Sequence, residues 1–220
     1  MSVTFAVIDA SVGETPAESN LRRELDAEVV VYKASEGEFP PSVSASEWRF
    51  DGVVISGSQT SAYDDRDWIH ELTEWIRRVH RADVPTLGIC WGHQFLAQAL
   101  DGRVVDMAEY ELGYERIVRL GDDPLFEGVD PVVVSLHGDA VTDPGEGMDV
   151  IASAPHARVF GTRHRTAPLW TVQFHPELPA AHRDRLVEDF EWDSRDRSFE
   201  EVTAGRVFEN FRALVRRAEA

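Results

Sequence analysis

The 220 residues carry 40 acidic against 22 basic side chains, a formal net charge of −18 at neutral pH, and are 43% hydrophobic. That apolar fraction suffices for one well-filled core, with residues 1–220 expected as a single domain, while the charge excludes nucleic-acid backbone and anionic membrane as main partners, since both would repel it. No apolar run reaches the roughly 18–20 residues that span a bilayer, and MSVTFAVIDA lacks a basic region ahead of its apolar stretch, so a cytoplasmic protein is expected. In chain order, VTFAVI at 3–8 reads as a buried strand, a short helix lies around LRRELD, and EVVVYKA at 28–34 is a second β-rich run. A short apolar strand at Val53–Ile55 ends in Ser56-Gly57-Ser58. Asp65 and Asp67 then offer N-caps to WIHELTEWIRRVHR, where Ile69, Leu72, Ile76 and Val79 recur at helical spacing.

The strand TLGI follows, then a turn at Cys90 and a helix through FLAQAL, with Gly102 as its C-terminal stop. Strands thus alternate with helices over the first hundred residues, the pattern of an open, mostly parallel α/β sheet covered on both faces. Residues 103–175 differ. RVVDM, ERIVRL, PVVVSL, DVIAS, RVFGTR and LWTVQF are strand candidates with little helical period between them, which predicts an antiparallel extension continuing the sheet. Two amphipathic helices, PAAHRDRLVEDFEW and GRVFENFRALVRRA, close the chain around the acidic DSRDRSFEE. In the last helix Phe208, Phe211 and Val215 share a face suited to packing on the domain.

Every basic residue except Lys33 is arginine, and an acidic, lysine-poor surface suits a salt-rich cytoplasm in which screening weakens self-repulsion. The one cysteine, Cys90, excludes an intrachain disulfide and a multi-cysteine metal cage. Such a thiol is either a small buried hydrophobe or a nucleophile. A strand that turns sharply into a helix delivers its turning residue to the carboxyl end of the sheet, where α/β folds bind ligands. Gly88 and Gly92 allow the close approach that this turn needs, and the helix N-terminus favours a thiolate. In LWTVQFHPEL, Thr171, Gln173 and His175 alternate with Trp170, Val172 and Phe174. Glu177, two residues on, projects to the same side as His175 and can orient its ring, while Pro176 stiffens the link.

Together, GICWGHQ at 88–94 and QFHPE at 173–177 resemble the class I glutamine amidotransferase domain, and SGS at 56–58, ELGY at 111–114 and SLHGDAV at 135–141 fall in that family's order. The resemblance implies a flavodoxin-like fold. It implies Cys90 as nucleophile toward the glutamine side-chain amide, His175 as base and then acid, and Glu177 as the group orienting His175. It implies an oxyanion hole from the backbone N–H groups of Gly57 and Trp91, with Gln94, Leu136, Gly138 and Asp139 contacting the substrate. Ser56 and Ser58 are expected to shape their loop, and His93 and His137 to be structural. No cofactor or metal site is expected.

The sequence contains no GxxxxGK[ST] or SGGxDS-like nucleotide loop, so ATP-dependent chemistry is expected in a separate synthetase that takes the ammonia. SLHGDAV is most similar to the amidotransferase domain of GMP synthases, although Trp91 and ELGY depart from them toward stand-alone relatives. The alternatives are a self-contained hydrolase of γ-glutamyl compounds and, against the intact Cys-His-Glu set, a non-catalytic regulatory module.

Overall fold

The first strand, β1 (Thr4–Asp9), is buried on both faces, which explains why its sequence is a continuous apolar run rather than an alternation. Phe5 and Val7 pack into one core, and Ala6 and Ile8 into another on the opposite face. The computed structural model describes residues 2–178 and 202–218, so the helix expected over PAAHRDRLVEDFEW and the acidic segment after it lie outside the described residues. β1 is flanked by β2 (Glu28–Lys33) and β3 (Gly52–Ile55), β3 pairs with β4 (Thr86–Ile89), and β4 with β10 (Leu169–Val172); all these pairings are parallel.

From β10 the sheet continues antiparallel through β9 (Gly161–His164), β8 (Met148–Ser153) and the two-residue β6 (Val118–Arg119). Among the described residues the order is β2-β1-β3-β4-β10-β9-β8-β6. The fold is thus a flavodoxin-like α/β sheet with an antiparallel flank. The extension expected from the sequence does not all continue this sheet, however. Among the described residues β5 (Arg103–Arg116) and β7 (Val132–Asp143) form their own two-stranded sheet, a long antiparallel ribbon joined to the rest by a single bridge between Val141 and Val159. The reason is register: ten residue pairs between the two strands take up their backbone groups, with irregularities after Arg103 and between Asp106 and Glu111 where Ala108 adopts φ 63°.

The helices cover both faces. α1 (Ala17–Leu25) and α4 (Arg206–Ala218) lie over the Phe5 core, where Phe208, Phe211 and Val215 are fully buried and Phe211 stacks on Phe5 at 5.6 Å. The opposite core takes Ile69, Leu72, Ile76 and Val79 from α2 (Asp67–Arg81), together with Trp91, Phe95 and Leu96 from α3 (Trp91–Ala99). Two boundaries differ from expectation. α2 is capped by the extended Arg66 with no side-chain cap; Asp67 already lies inside the helix, and Asp65 instead reaches His70 at 2.8 Å. Asp67 in the first turn still complements the helix dipole.

At the end of α3, Asp101 N–H reaches the Gln98 carbonyl and Gly102 N–H the Ala97 carbonyl, a Schellman pair. The left-handed residue in it is Asp101, φ 62°, not Gly102. Gly102 is required for space, because a side chain there would run into the Asp143 carbonyl.

Candidate functional site

Cys90 stands between β4 and α3 with φ 52° and ψ −104°, a conformation that costs a non-glycine residue strain. The surroundings fix it there. Its N–H donates to the Val172 carbonyl at 2.8 Å, and its carbonyl accepts from His93 and Gln94 as the helix begins. A Cβ on Gly88 would lie 2.6 Å from the Gly92 carbonyl oxygen, and one on Gly92 would lie 2.5 Å from that of Ile55. Only glycines let strand, elbow and helix approach this closely. Trp91, the first helical residue, has no preceding turn to accept its N–H. Its ring is anchored against Phe95 at 4.9 Å and Trp68 at 5.3 Å.

The loop after β3 is held to the same elbow. Ser56 N–H donates to Ile8, the Ser56 carbonyl accepts from Gly92, and the Ser56 hydroxyl donates to the Gly57 carbonyl at 2.9 Å while accepting from Ala10. Gly57 is thereby set beside the thiol: a Cβ on it would lie 3.3 Å from His175 Cε1 and 3.8 Å from Cys90 Cβ.

His175 lies three residues beyond β10, where the chain has left the sheet and His175 N–H donates to the Val134 carbonyl of β7. Its Nδ1 is 2.7 Å from Glu177 Oε1, and both side chains are about nine-tenths buried. Nε2 turns the other way, 3.3 Å from the Leu136 carbonyl oxygen, which also lies 3.6 Å from Cys90 Sγ. Burial by itself would depress His175, but the Cys90 charge, then Glu177, then hydrogen bonds to both outweigh it and hold the imidazole well above its ordinary value. His175 is therefore favoured as the imidazolium.

β7 supplies the remaining wall. Gln94 Nε2 donates to the Asp139 carbonyl at 2.9 Å and to Gln173 Oε1 at 3.2 Å. A Cβ on Gly138 would meet the Tyr110 ring at 2.8 Å, and Tyr63 donates its hydroxyl to Asp139 Oδ1 at 3.0 Å. Gly57, Cys90, Trp91, Gln94, Leu136, Gly138, Asp139, His175 and Glu177 thus converge at the carboxyl ends of β3 and β4.

His93 and His137 line the back of this region. His93 Nδ1 meets Thr171 Oγ1 at 2.6 Å, and His137 Nδ1 donates to the Asp139 carbonyl at 2.8 Å. Desolvation lowers His93 to about 3 and His137 to about 4, so both rings are neutral at pH 7. Sequence reasoning missed Tyr63 and Tyr110, since neither sits at a diagnostic spacing. It also missed that the Leu136 carbonyl lies against both thiol and imidazole, because a main-chain atom leaves no mark on residue identity.

Residues 6–193 match the family Glutamine amidotransferase class-I. The chain is 30% identical over 153 residues to the glutamine-hydrolyzing GMP synthase subunit of Sulfolobus acidocaldarius, covering 68% of this chain and 79% of that one. It is 33% identical over 154 residues to the corresponding subunit of Saccharolobus solfataricus, covering 69% and 79%. Against the longer glutamine-hydrolyzing GMP synthase of Desulfotalea psychrophila it is 34% identical over 131 residues, 58% of this chain but 24% of that protein. In fold it is similar to a glutamine amidotransferase from Thermotoga maritima, with TM-score 0.76, 20% identity and coverage of 99% and 98% of the two chains. The glutamine amido transferase of Methylobacillus flagellatus gives TM-score 0.76 at 21% identity, covering 99% of this chain and 95% of that one. With Cys90 at a strained elbow facing His175, and a family match over most of its length, the chain belongs to the class I glutamine amidotransferases.

Proposed function

We propose that this chain is a single-domain, cytoplasmic glutaminase that hydrolyses the side-chain amide of glutamine through a Cys90 thioester and passes the ammonia to a separate, GMP synthase-like, ATP-dependent synthetase. The observation that carries this reading is the convergence of the strained Cys90 on a buried His175 that Glu177 holds at 2.7 Å. The similarity to GMP synthase subunits named as glutamine-hydrolyzing supports the substrate and the partner. The acidic surface suits a halophile's salt-rich interior.

In this mechanism the Cys90 thiolate attacks the γ-amide carbon, and the carbonyl electron pair moves onto oxygen. The Gly57 and Trp91 N–H groups stabilise that oxyanion, each donor contributing about 10²–10³ in rate. Collapse breaks the C–N bond as the His175 imidazolium gives its proton to nitrogen. Ammonia leaves, with a γ-glutamyl thioester and a neutral imidazole behind it. Water then loses a proton to His175 as it attacks the thioester, and glutamate departs with the thiolate and imidazolium restored. Glu177 keeps the ring in the orientation both transfers need. Gln94 helps recognise the glutamine, and the backbone at Leu136, Gly138 and Asp139 contacts its α-amino and α-carboxylate groups.

The test is to assay the purified chain on glutamine and on a γ-glutamyl peptide, alone and with a separate GMP-forming synthetase. Slow glutamine hydrolysis that the synthetase accelerates is the expected result. Brisk peptide turnover without any partner would replace this reading with that of a self-contained γ-glutamyl hydrolase.

A further inference from the structure

Among the described residues, Tyr63 and Tyr110 are the two whose phenylalanine, tyrosine or tryptophan rings are exposed, at 44% and 63%. They come from different elements, Tyr63 from the loop after β3 and Tyr110 from β5, yet they meet adjacent residues of β7. Tyr63 donates its hydroxyl to Asp139 Oδ1 at 3.0 Å, and the Tyr110 ring lies on Gly138, where a Cβ would stand 2.8 Å from Cε2. Gly138 and Asp139 belong to the wall that faces the α end of the glutamine in the mechanism above.

The chain is bent to put Tyr110 there. In the β5–β7 ribbon Asp106 pairs with Asp139 and Glu111 with His137, so residues 107–110 stand opposite Gly138 alone. Inside this bulge Ala108 takes φ 63°, which is unfavourable for a residue with a side chain, and its N–H donates to the Asp106 carboxylate at 2.8 Å. Bulges turn a side chain out of the alternation of its strand and re-aim it. Here the aim is toward the reacting pair. Partial desolvation and then the Cys90 charge push the Tyr110 phenol above its ordinary value, with Asp139 adding to the rise and His175 opposing it. The phenol is thus a neutral group at pH 7. A rim aromatic that covers a substrate-facing glycine while most of its surface stays in water has apolar area left to bury on the ligand. Beside it, the Tyr63 hydroxyl holds the Asp139 carboxylate at the rim, where a negative charge attracts an α-ammonium group.

We propose that Tyr63 and Tyr110 are specificity-determining residues, which close on the α end of the substrate and restrict the site to free glutamine, excluding glutamine whose α-groups are joined in a peptide. The inference rests on the glutamine site described under the proposed function. Tyr110 roofs Gly138, so a substituent on the α end collides with its ring. Tyr63 fixes the Asp139 counter-charge, which an acylated α-amine cannot use.

The test is calorimetric binding to the Cys90→Ala chain, which needs no turnover, with free glutamine, Nα-acetylglutamine and the α-linked dipeptide glutaminylglycine. Free glutamine is expected to bind about 10²-fold more tightly than either blocked form. Adding Tyr110→Ala should weaken free glutamine about tenfold and leave glutaminylglycine unchanged, whereas Tyr110→Phe, which keeps the ring, should bind as the parent does. Tyr63→Phe should weaken free glutamine about threefold and leave Nα-acetylglutamine unchanged. With Cys90 present, the Tyr110→Ala loss should fall on KM, with kcat within about threefold, a split that general distortion of the site would not produce. Melting is expected to show every variant folded. No binding of free glutamine, equal binding of all three compounds, or unaltered affinity and selectivity in Tyr110→Ala would overturn the proposal. So would unaltered affinity with lost acceleration by the synthetase, which would assign the two rings to the partner's surface. Glutamine that binds with this selectivity but is not hydrolysed when Cys90 is present would overturn the glutaminase reading and leave this inference standing.

Discussion

The two halves of the site are built by different means. On the parallel side, β4, the Cys90 elbow and α3 form a continuous stretch in which each functional atom follows from its neighbours along the chain: Gly88 and Gly92 permit the turn, and the turn presents the thiol. On the other side, β7 contributes chiefly main-chain atoms. The Leu136 carbonyl faces both Cys90 and His175, and the Asp139 carbonyl is shared by Gln94 and His137. The first half is rigid because backbone packs on backbone. The second is assembled by strand register and covered by the exposed Tyr110 and Tyr63. The nucleophile is thus placed locally, whereas His175 and the recognition surface are placed by long-range pairing.

The largest effects should come from the reacting pair, one member from each half. Cys90→Ala and His175→Ala are each expected to lower glutamine turnover by roughly 10⁵–10⁶-fold, since members of such a set act as a unit. Thermal melting should show both variants folded. Wild-type turnover by Cys90→Ala would end the thioester mechanism.

Glu177→Gln should cost less, roughly 10²–10⁴-fold, because the imidazole remains present but loses its orienting charge. It also carries a pH signature. The Cys90 and Glu177 charges hold His175 above its ordinary value, so the imidazolium that protonates departing ammonia survives to a pH well above 6.5 and is lost only beyond it. Removing the Glu177 charge lowers the His175 value, and the alkaline limb of the kcat/KM profile should move to lower pH. A limb that stays put would show that Glu177 does not act through His175.

Two glycine substitutions compare the halves directly. Gly88→Ala places a methyl 2.6 Å from the Gly92 carbonyl oxygen, where neither backbone can yield, and is expected to cost about 1–3 kcal/mol in urea unfolding. Gly138→Ala places its methyl against the edge of the exposed Tyr110 ring, which can swing aside, and should cost no more than about 0.5 kcal/mol. Equal costs would mean that the ribbon wall is as stiff as the elbow.

Much of the fold was legible in the sequence for a simple reason. Strands buried on both faces read as apolar runs, and α2 repeats its apolar residues every three or four positions. Where the reading failed, geometry outside the local pattern had decided. The N-cap of α2 is Arg66, because extended backbone at that position suffices without a side-chain acceptor. β5 runs on through AEYELGY, which looks like loop because exposed polar residues surround the left-handed Ala108.

By itself the sequence determined the alternating α/β core, the strand-to-helix turn that raises Cys90, and the adjacency of His175 to Glu177. All three are consequences of hydrophobic period and short-range chain geometry. Tertiary structure alone decided that β5 and β7 leave the main sheet as a separate ribbon and that the Leu136 carbonyl lies against both thiol and imidazole. Those relations join positions some forty residues apart through strand register and main-chain atoms, neither of which is written in the identity of any single residue.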